Sequence, residues 1–194
     1  MSAATLAVNP ATAYRLLSDF GDLAPGDCVI QNGANSGVGQ AVIQIAARMS
    51  VTTINVIRSG RPNHDEVVAY LKSLGATHVV TDEHLKSKEM ADLVRSVGAP
   101  RLALNCVGGR AFVDLVRHVA DRGVAVTYGG MSRQPLSVPA GPLIFGDVML
   151  RGFWNSRWNA EHRGLYWWLP LWVFLSVICS VPTGPEKFMK SHEI

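Results

Sequence analysis

The chain has 194 residues and a formal net charge of +3, and 48% of its residues are hydrophobic while 17% are charged. This balance excludes an intrinsically disordered chain, and the lack of a run rich in lysine and arginine argues against nucleic acid as a partner. The three cysteines, Cys28, Cys106 and Cys179, are scattered along the sequence, so they predict neither a disulfide framework nor a zinc site, and no metal is expected.

Strands and helices alternate along the predicted chain. Asn9 and Pro10 are typical of a helix start, with Asn as the N-cap and Pro at the first helical position, and Gly21 is typical of a helix end. The predicted strands cover 28–32, 52–57, 79–80, 102–107, 124–128 and 148–154, and the later helices cover 38–49, 64–74, 89–97 and 111–120. This alternation predicts an α/β fold, a doubly wound parallel (Rossmann) sheet with an extra N-terminal helix.

The pattern divides the chain into three segments: a linking segment and helix (1–27), a dinucleotide-binding Rossmann domain (28–162) and an apolar tail (163–194). Within the tail, 165–181 carries no charge, but it is shorter than the ~20 residues of a membrane-spanning helix. Three interpretations of this stretch are open: a membrane helix, an interfacial or docking segment, and a non-native tail from a truncated or alternatively spliced message. We favour the non-native tail. No targeting segment is expected, because the N-terminus lacks the features of a signal peptide or presequence.

The link between the first predicted strand and the next helix is rich in Gly, Asn and Ser. A strand–turn–helix order of this kind leaves backbone N–H groups free at the helix start, where they bind the pyrophosphate of a dinucleotide. Of the usual G-x-G-x-x-G pattern only the last glycine, Gly39, is in place, while Asn35 and Ser36 add side-chain donors. We call residues 33–39 the phosphate turn; an ordinary strand-to-helix turn is the alternative.

The end of the second predicted strand indicates which dinucleotide is bound. An NAD site usually has an acidic residue there, which binds the ribose 2′-hydroxyl, but the first acidic residue after this strand is Asp65. Arg58 and Arg61 instead suit a 2′-phosphate, and Ser59 adds a hydroxyl donor. These residues, 58–61, are called the ribose loop, and they favour NADPH over NADH; two solvated arginines are the alternative.

Glycine pairs follow the fourth and fifth predicted strands, at 108–109 and 129–130. Ligands of open α/β sheets bind at the carboxyl ends of the strands, so we expect the backbone there to approach the nicotinamide. Cys106 is interpreted as a small buried residue rather than a nucleophile, because no charged partner is evident.

Six segments together resemble a known family: QNGANSGVGQAVIQIAA, NVIRSGRP, LKSLGATHV, RLALNCVGG, VTYGGMS and LRGFWNSRW. They are similar to the zinc-independent medium-chain dehydrogenase/reductases and, within these, to the mitochondrial trans-2-enoyl-thioester reductases. The resemblance runs from about residue 5 to about residue 162 and implies cofactor contacts at matching positions. Those positions are Asn9 near the nicotinamide, Asn35, Ser36, Gly37 and Val38 at the pyrophosphate, Arg58, Ser59 and Arg61 at the 2′-phosphate, Tyr128, Gly129, Gly130 and Met131 on the nicotinamide side, and Phe153, Trp154, Asn155 and Ser156 closing over the cofactor.

Ordinary core packing is the alternative for Phe153 and Trp154. The resemblance also implies that the proton-donating tyrosine belongs to the family's N-terminal catalytic domain, so no catalytic residue is expected in this chain. Past residue 164 the resemblance stops, which is why a truncated or alternative product is favoured.

The implied activity is the NADPH-dependent reduction of a trans-2-enoyl thioester, carried on acyl-carrier protein or coenzyme A, in the mitochondrial matrix. We expect the chain alone to be inactive. The alternatives are an NADPH quinone reductase, a non-catalytic NADPH-binding fragment and a membrane-anchored binder; membrane contact through 165–181 is not favoured. A homodimer is a possible assembly, because the related enzymes are dimers and a sheet edge in this domain could pair; the divergent tail argues against it.

Overall fold

The computed structural model describes residues 8–162, which form one six-stranded sheet covered by helices on both faces. The strands are β1 (Cys28–Asn32), β2 (Thr52–Ile57), β3 (His78–Thr81), β4 (Leu102–Asn105), β5 (Val124–Thr127) and β6 (Met149–Gly152). The helices are α1 (Asn9–Ser18), α2 (Gly37–Arg48), α3 (His64–Ser73), α4 (Lys88–Val97), α5 (Gly109–Val116), α6 (Ala140–Ile144) and α7 (Asn155–Glu161), and a 3₁₀ turn covers His84–Lys86.

The strand order is β3-β2-β1-β4-β5-β6, and every pair is parallel. The order reverses at β1, where the chain moves to the other half of the sheet. In sheets of this kind the ligand crevice lies outside the carboxyl ends of the strands at that reversal. The predicted doubly wound parallel sheet is therefore confirmed.

The central strand β1 is buried along its whole length and divides the core into two layers. Because side chains alternate along a strand, Val29 packs with Leu16 of α1 and Val42 of α2, whereas Ile30 packs with Phe112 of α5 on the opposite face. The N-terminal helix is thus part of the core beside α2, and it brings its first turn close to the phosphate turn.

Some element ends differ from their prediction for local reasons. Helix α1 begins at Asn9 with Val8 as its N-cap, so Asn9 is not the cap. Strand β4 ends at Asn105 rather than at 107, and α5 begins at Gly109 rather than at 111, because Gly108 and Gly109 take positive φ angles of 80° and 58° and turn the chain at once.

Two helices and the 3₁₀ turn were not predicted. Pro and Gly interrupt the sequence of α6, and only two residues separate the end of β6 from the start of α7. The apolar stretch 165–181 lies outside the described residues, and within 8–162 no helix has the length and apolar character needed to cross a bilayer.

Candidate functional site

The phosphate turn leaves β1 and enters α2 at the carboxyl edge of the sheet. Ser36 caps the helix, because its Oγ accepts a hydrogen bond from the backbone N–H of Gly39 at 3.1 Å. The N–H groups of Gly37 and Val38 point out of the first turn, and no acceptor among residues 8–162 receives them. The turn therefore presents two free donors at the positive end of a twelve-residue helix.

Backbone packing fixes the shape of this turn. A Cβ on Gly39 would lie 2.6 Å from the carbonyl oxygen of Ala34 and 2.7 Å from its Cα, so only glycine fits there. On the outer side, a Cβ on Gly37 would overlap the side-chain amide of Asn9. The structure thus brings Asn9 into contact with the phosphate turn, although 28 residues separate it from Gly37 in the sequence.

A chain of buried amides joins the carboxyl ends of the central strands, and the sequence analysis did not single it out. Asn32 Nδ2 donates to Asn105 Oδ1 at 2.7 Å, and Asn105 Nδ2 donates to Thr127 Oγ1 at 3.1 Å. Asn105 Oδ1 also accepts the N–H of Gly108 at 3.0 Å. These bonds hold β1, β4 and β5 in register at the crevice. The sequence feature that could have revealed these side chains is a polar residue at the end of each apolar strand.

The two arginines of the ribose loop lie at the carboxyl end of β2, one strand away from the phosphate turn. Arg58 is exposed, and neither it nor Arg61 forms an ion pair with a carboxylate among residues 8–162. The Nε of Arg61 is buried and has no hydrogen-bond partner in this part of the chain. Both guanidinium groups are therefore available to an anion.

The Ser59 donors are directed to two acidic residues that follow β3. Its backbone N–H donates to Asp82 Oδ1 at 2.8 Å, and its hydroxyl donates to Glu83 Oε1 at 3.0 Å. Burial alone would raise the pKa of Asp82, but the hydrogen bonds from Ser59 and Glu83 outweigh it and lower that pKa below its ordinary value. The sequence did not lead us to select these two acidic residues. The feature that could have revealed them is their position directly after β3, the strand that pairs with β2.

The loop after β5 packs on the loop after β4. A Cβ on Gly129 would lie 3.1 Å from the carbonyl oxygen of Cys106, and that oxygen accepts the N–H of Met131 at 2.9 Å. The interpretation of Cys106 as a buried residue is confirmed, because its side chain is only 4% exposed and burial raises the pKa of its thiol.

Tyr128 contacts the same thiol from the sheet side. Its hydroxyl is buried, and no atom of residues 8–162 makes a well-formed hydrogen bond to it, although Cys106 and Ser36 lie beside it. Burial raises the pKa of the phenol well above its ordinary value, so the ring stays neutral at physiological pH.

The segment after β6 divides between core and surface. Phe153 lies in the core, edge-on to Phe20 with ring centres 5.6 Å apart, as the core-packing alternative states. Trp154 is 64% exposed and is not a core residue. Asn155 is buried with its Oδ1 unpartnered among the described residues, and Ser156 is exposed. Apart from Asn9, the candidate residues thus follow β1, β2, β5 and β6 at the carboxyl ends of these strands.

The model of the zinc-binding dehydrogenase family matches residues 37–168 of this chain, which is more than half of its length. The chain belongs to the zinc-binding dehydrogenase family. Within residues 8–162, however, no three His, Cys, Asp or Glu side chains come together as metal ligands, so this part of the family member does not fit a zinc site.

Curated relatives include the mitochondrial enoyl-[acyl-carrier-protein] reductases of Homo sapiens and Xenopus tropicalis. The human protein is 56% identical over 161 residues, which cover 83% of this chain and 43% of the relative. The frog protein is 55% identical over 159 residues, covering 82% and 45%. The chain therefore spans less than half the length of the curated relatives it matches.

The chain is also similar to solved structures of enoyl thioester reductases. A complex of Etr1p with NADP and crotonyl-CoA superposes with a TM-score of 0.80 at 39% identity, covering 90% of this chain and 48% of the other. The Etr1p/Etr2p heterodimer of Candida tropicalis has the same TM-score at 40% identity and covers the same shares. A quinone oxidoreductase of Pseudomonas syringae, with a TM-score of 0.76, is only 22% identical and shares the fold alone.

Proposed function

We propose that this chain provides the NADPH-binding half of an enoyl-thioester reductase. The observation that carries the proposal is the pair of arginines without an ion pair among residues 8–162, Arg58 and Arg61, one strand away from a helix start with free N–H groups. NADPH has a pyrophosphate for the helix start and a 2′-phosphate for the arginines. The enoyl thioester is proposed from the curated relatives and the crotonyl-CoA complex of Etr1p.

The pyrophosphate would bind at the phosphate turn. The N–H groups of Gly37 and Val38 would bind it, the helix dipole favours negative charge there, and Asn35 directly precedes the N-cap Ser36. Gly39 lets the turn stay close to the helix, so the backbone donors remain at the surface of the crevice.

The 2′-phosphate would bind at the ribose loop. Guanidinium groups pair with phosphate through two parallel hydrogen bonds, which makes arginine better suited to this task than lysine. The buried Nε of Arg61 has no protein acceptor among residues 8–162, and a phosphate oxygen would provide one. An NADH molecule has a hydroxyl at this position and would leave both guanidinium groups unpaired.

The nicotinamide would lie against the loop after β5. Tyr128 would form a neutral wall, and Gly129 and Gly130 would let the backbone approach the ring. Met131 and Trp154, each 64% exposed, would be covered by the bound cofactor. Asn9 would contact the cofactor from the other side of the phosphate turn.

When bound, NADPH would supply a hydride to the β-carbon of the enoyl thioester. The described residues would bind the cofactor, orient its ring and exclude water from one side of it. A proton must also reach the α-carbon. The Tyr70 hydroxyl donates to Gln40 and the Tyr128 hydroxyl is buried, so we propose neither as the proton donor. We propose that the proton comes from a part of the enzyme outside residues 8–162. We also propose that the enzyme acts in the mitochondrial matrix; the names of the relatives support the mitochondrion as the organelle.

We also propose that two copies pair along β6. This strand has a partner on only one side within the described residues, and the helix that precedes it, α6, ends in exposed apolar side chains. Phe145 is 86% exposed and Ile144 is 69% exposed, values that favour contact with a second copy.

Sedimentation velocity tests this pairing. The Phe145→Asp variant should be monomeric, whereas the control variant Met131→Asp should remain dimeric. A monomeric wild-type chain would contradict the proposal.

Titration of the 194-residue chain with NADPH, followed by nucleotide fluorescence, tests the cofactor assignment. We expect saturable binding of NADPH and no NADPH oxidation when crotonyl-CoA or a quinone is added to this chain alone. Failure to bind NADPH would contradict the proposed function, and turnover of crotonyl-CoA would contradict the assignment of the proton donor to another part of the enzyme.

A further inference from the structure

The hydroxyl of Ser59 in the ribose loop donates a hydrogen bond to the carboxylate of Glu83. Ser59 lies between Arg58 and Arg61, and its hydroxyl donates to Glu83 Oε1 at 3.0 Å on the exposed side of the loop. Glu83 follows β3, which pairs in parallel with β2. Ile54 lies opposite His78, and Ile57 lies opposite Thr81. The strand pairing therefore carries Glu83 to the ribose loop although 24 residues separate it from Ser59.

We propose that Glu83 is a specificity-determining residue that competes with the 2′-phosphate for the Ser59 hydroxyl. This inference rests on the proposed NADPH-binding function. In the free protein the hydroxyl donates to Glu83; in the NADPH complex it donates to a phosphate oxygen, and the Glu83 side chain moves away into solvent.

Two physical effects work in the same direction. A serine hydroxyl has a single hydrogen to donate, so it serves either Glu83 or the phosphate. The Glu83 carboxylate also repels the negatively charged phosphate at close range. NADH has no phosphate at this position and leaves the Ser59–Glu83 bond in place. Glu83 thus lowers the preference for NADPH that Arg58 and Arg61 create.

The neighbouring acid, Asp82, has a different role, which makes a clean test feasible. Asp82 Oδ1 accepts the backbone N–H groups of both Ser59 and Glu83, at 2.8 Å and 3.1 Å, and its own N–H donates to the carbonyl of Ile57 at 3.0 Å. These bonds involve backbone atoms and hold the loop in place whichever acceptor the Ser59 hydroxyl uses. Removing the Glu83 carboxylate should therefore leave the loop shape unchanged.

The experiment is a double-mutant cycle on the full chain, with Glu83→Ala, Ser59→Ala and both together, titrated with NADPH and with NADH. Glu83→Ala removes both the charge and the competing acceptor, so it should bind NADPH about threefold to tenfold more tightly and NADH as before. Ser59→Ala should change NADPH affinity by less than about twofold in the wild-type background, and weaken it about threefold to tenfold in the Glu83→Ala background. Asp121→Asn, an exposed carboxylate before β5 at the opposite edge, is the control for net charge.

The outcomes separate the inference from the function beneath it. If the wild-type chain binds NADPH but Glu83→Ala binds it no more tightly, or if the Ser59→Ala effect is the same in both backgrounds, the inference alone is overturned. If Asp121→Asn tightens NADPH binding as much as Glu83→Ala does, the effect is one of net charge and the inference is again wrong. If neither the wild-type chain nor any variant binds NADPH, the proposed function fails and the inference fails with it.

Discussion

The phosphate turn and the ribose loop lie side by side in the crevice but are held by different forces. Backbone contacts fix the phosphate turn, where Gly39 lies against Ala34 with no room for a side chain. A side-chain carboxylate holds the ribose loop: Asp82 accepts the backbone N–H of Ser59, while Glu83 accepts only the Ser59 hydroxyl. Changes in the turn should therefore alter folding and binding together, whereas changes in the loop should alter the choice of nucleotide with little effect on folding.

The largest effect is expected for Gly39→Ala. The new Cβ would lie 2.6–2.7 Å from backbone atoms of Gly33 and Ala34, which cannot move aside without breaking the turn. We expect the free energy of unfolding in urea to fall by about 2–3 kcal/mol and NADPH binding to be lost.

Gly141→Ala is the matched control, because nothing lies within 4 Å of a Cβ at that helical position. It should leave stability unchanged or raise it slightly. Equal stability losses for the two variants would show that the packing against Ala34 does not hold the turn.

The next effect is on nucleotide choice, through Arg58→Ala. A charge-assisted contact to the 2′-phosphate contributes about 2 kcal/mol, so NADPH should bind about thirtyfold more weakly while NADH binding and the unfolding midpoint stay constant. Arg95→Ala, in the last turn of α4 where the guanidinium pairs with Asp92, should change neither affinity. Equal losses of NADPH and NADH affinity for Arg58→Ala would refute the phosphate contact.

A smaller effect is expected where the phosphate turn caps α2. Ser36→Ala removes the acceptor of the Gly39 N–H and should cost about 1 kcal/mol of unfolding free energy. Ser87→Ala removes a similar cap from α4, because the Ser87 hydroxyl accepts the Met90 N–H at 3.3 Å. Both variants should lose similar stability, but only Ser36→Ala should also weaken NADPH binding; a weakening in both would indicate a general loss of folding instead.

The smallest effect concerns Asp82 and pH. Because hydrogen bonds in the folded state lower the pKa of this carboxyl below 3.8, its ionised form stabilises the fold above about pH 4, and the contribution is lost as the pH falls through the lowered pKa. The difference in unfolding free energy between wild type and Asp82→Asn should be a few tenths of a kcal/mol near pH 6 and should shrink towards pH 3. A difference that grows on acidification would contradict this sign.

The sequence predicted the buried part of the fold well. Strands β1 and β2 have the predicted ends, because continuous apolar runs bounded by turn residues define a buried parallel strand. The start of α5 was predicted less well, since the turn before it depends on the positive φ angles of Gly108 and Gly109. Local sequence does not report such backbone angles directly.

The candidate site was predicted only where its residues follow a strand directly. Arg58 and Arg61 could be selected because they come after an apolar run, and the resemblance to a family added Asn9. Glu83 escaped notice because its partner Ser59 is 24 residues away, and only the pairing of β2 with β3 brings the two together. Contacts of this kind depend on register between strands, which hydrophobic periodicity does not specify.

The most direct test of the account is a crystal structure of the full chain with NADPH. It should show the guanidinium groups of Arg58 and Arg61 within hydrogen-bond distance of the 2′-phosphate, about 2.7–2.9 Å from nitrogen to oxygen, and the pyrophosphate on the N–H groups of Gly37 and Val38. A complex in which both arginines extend into solvent and the 2′-phosphate touches no protein donor would contradict the central claim.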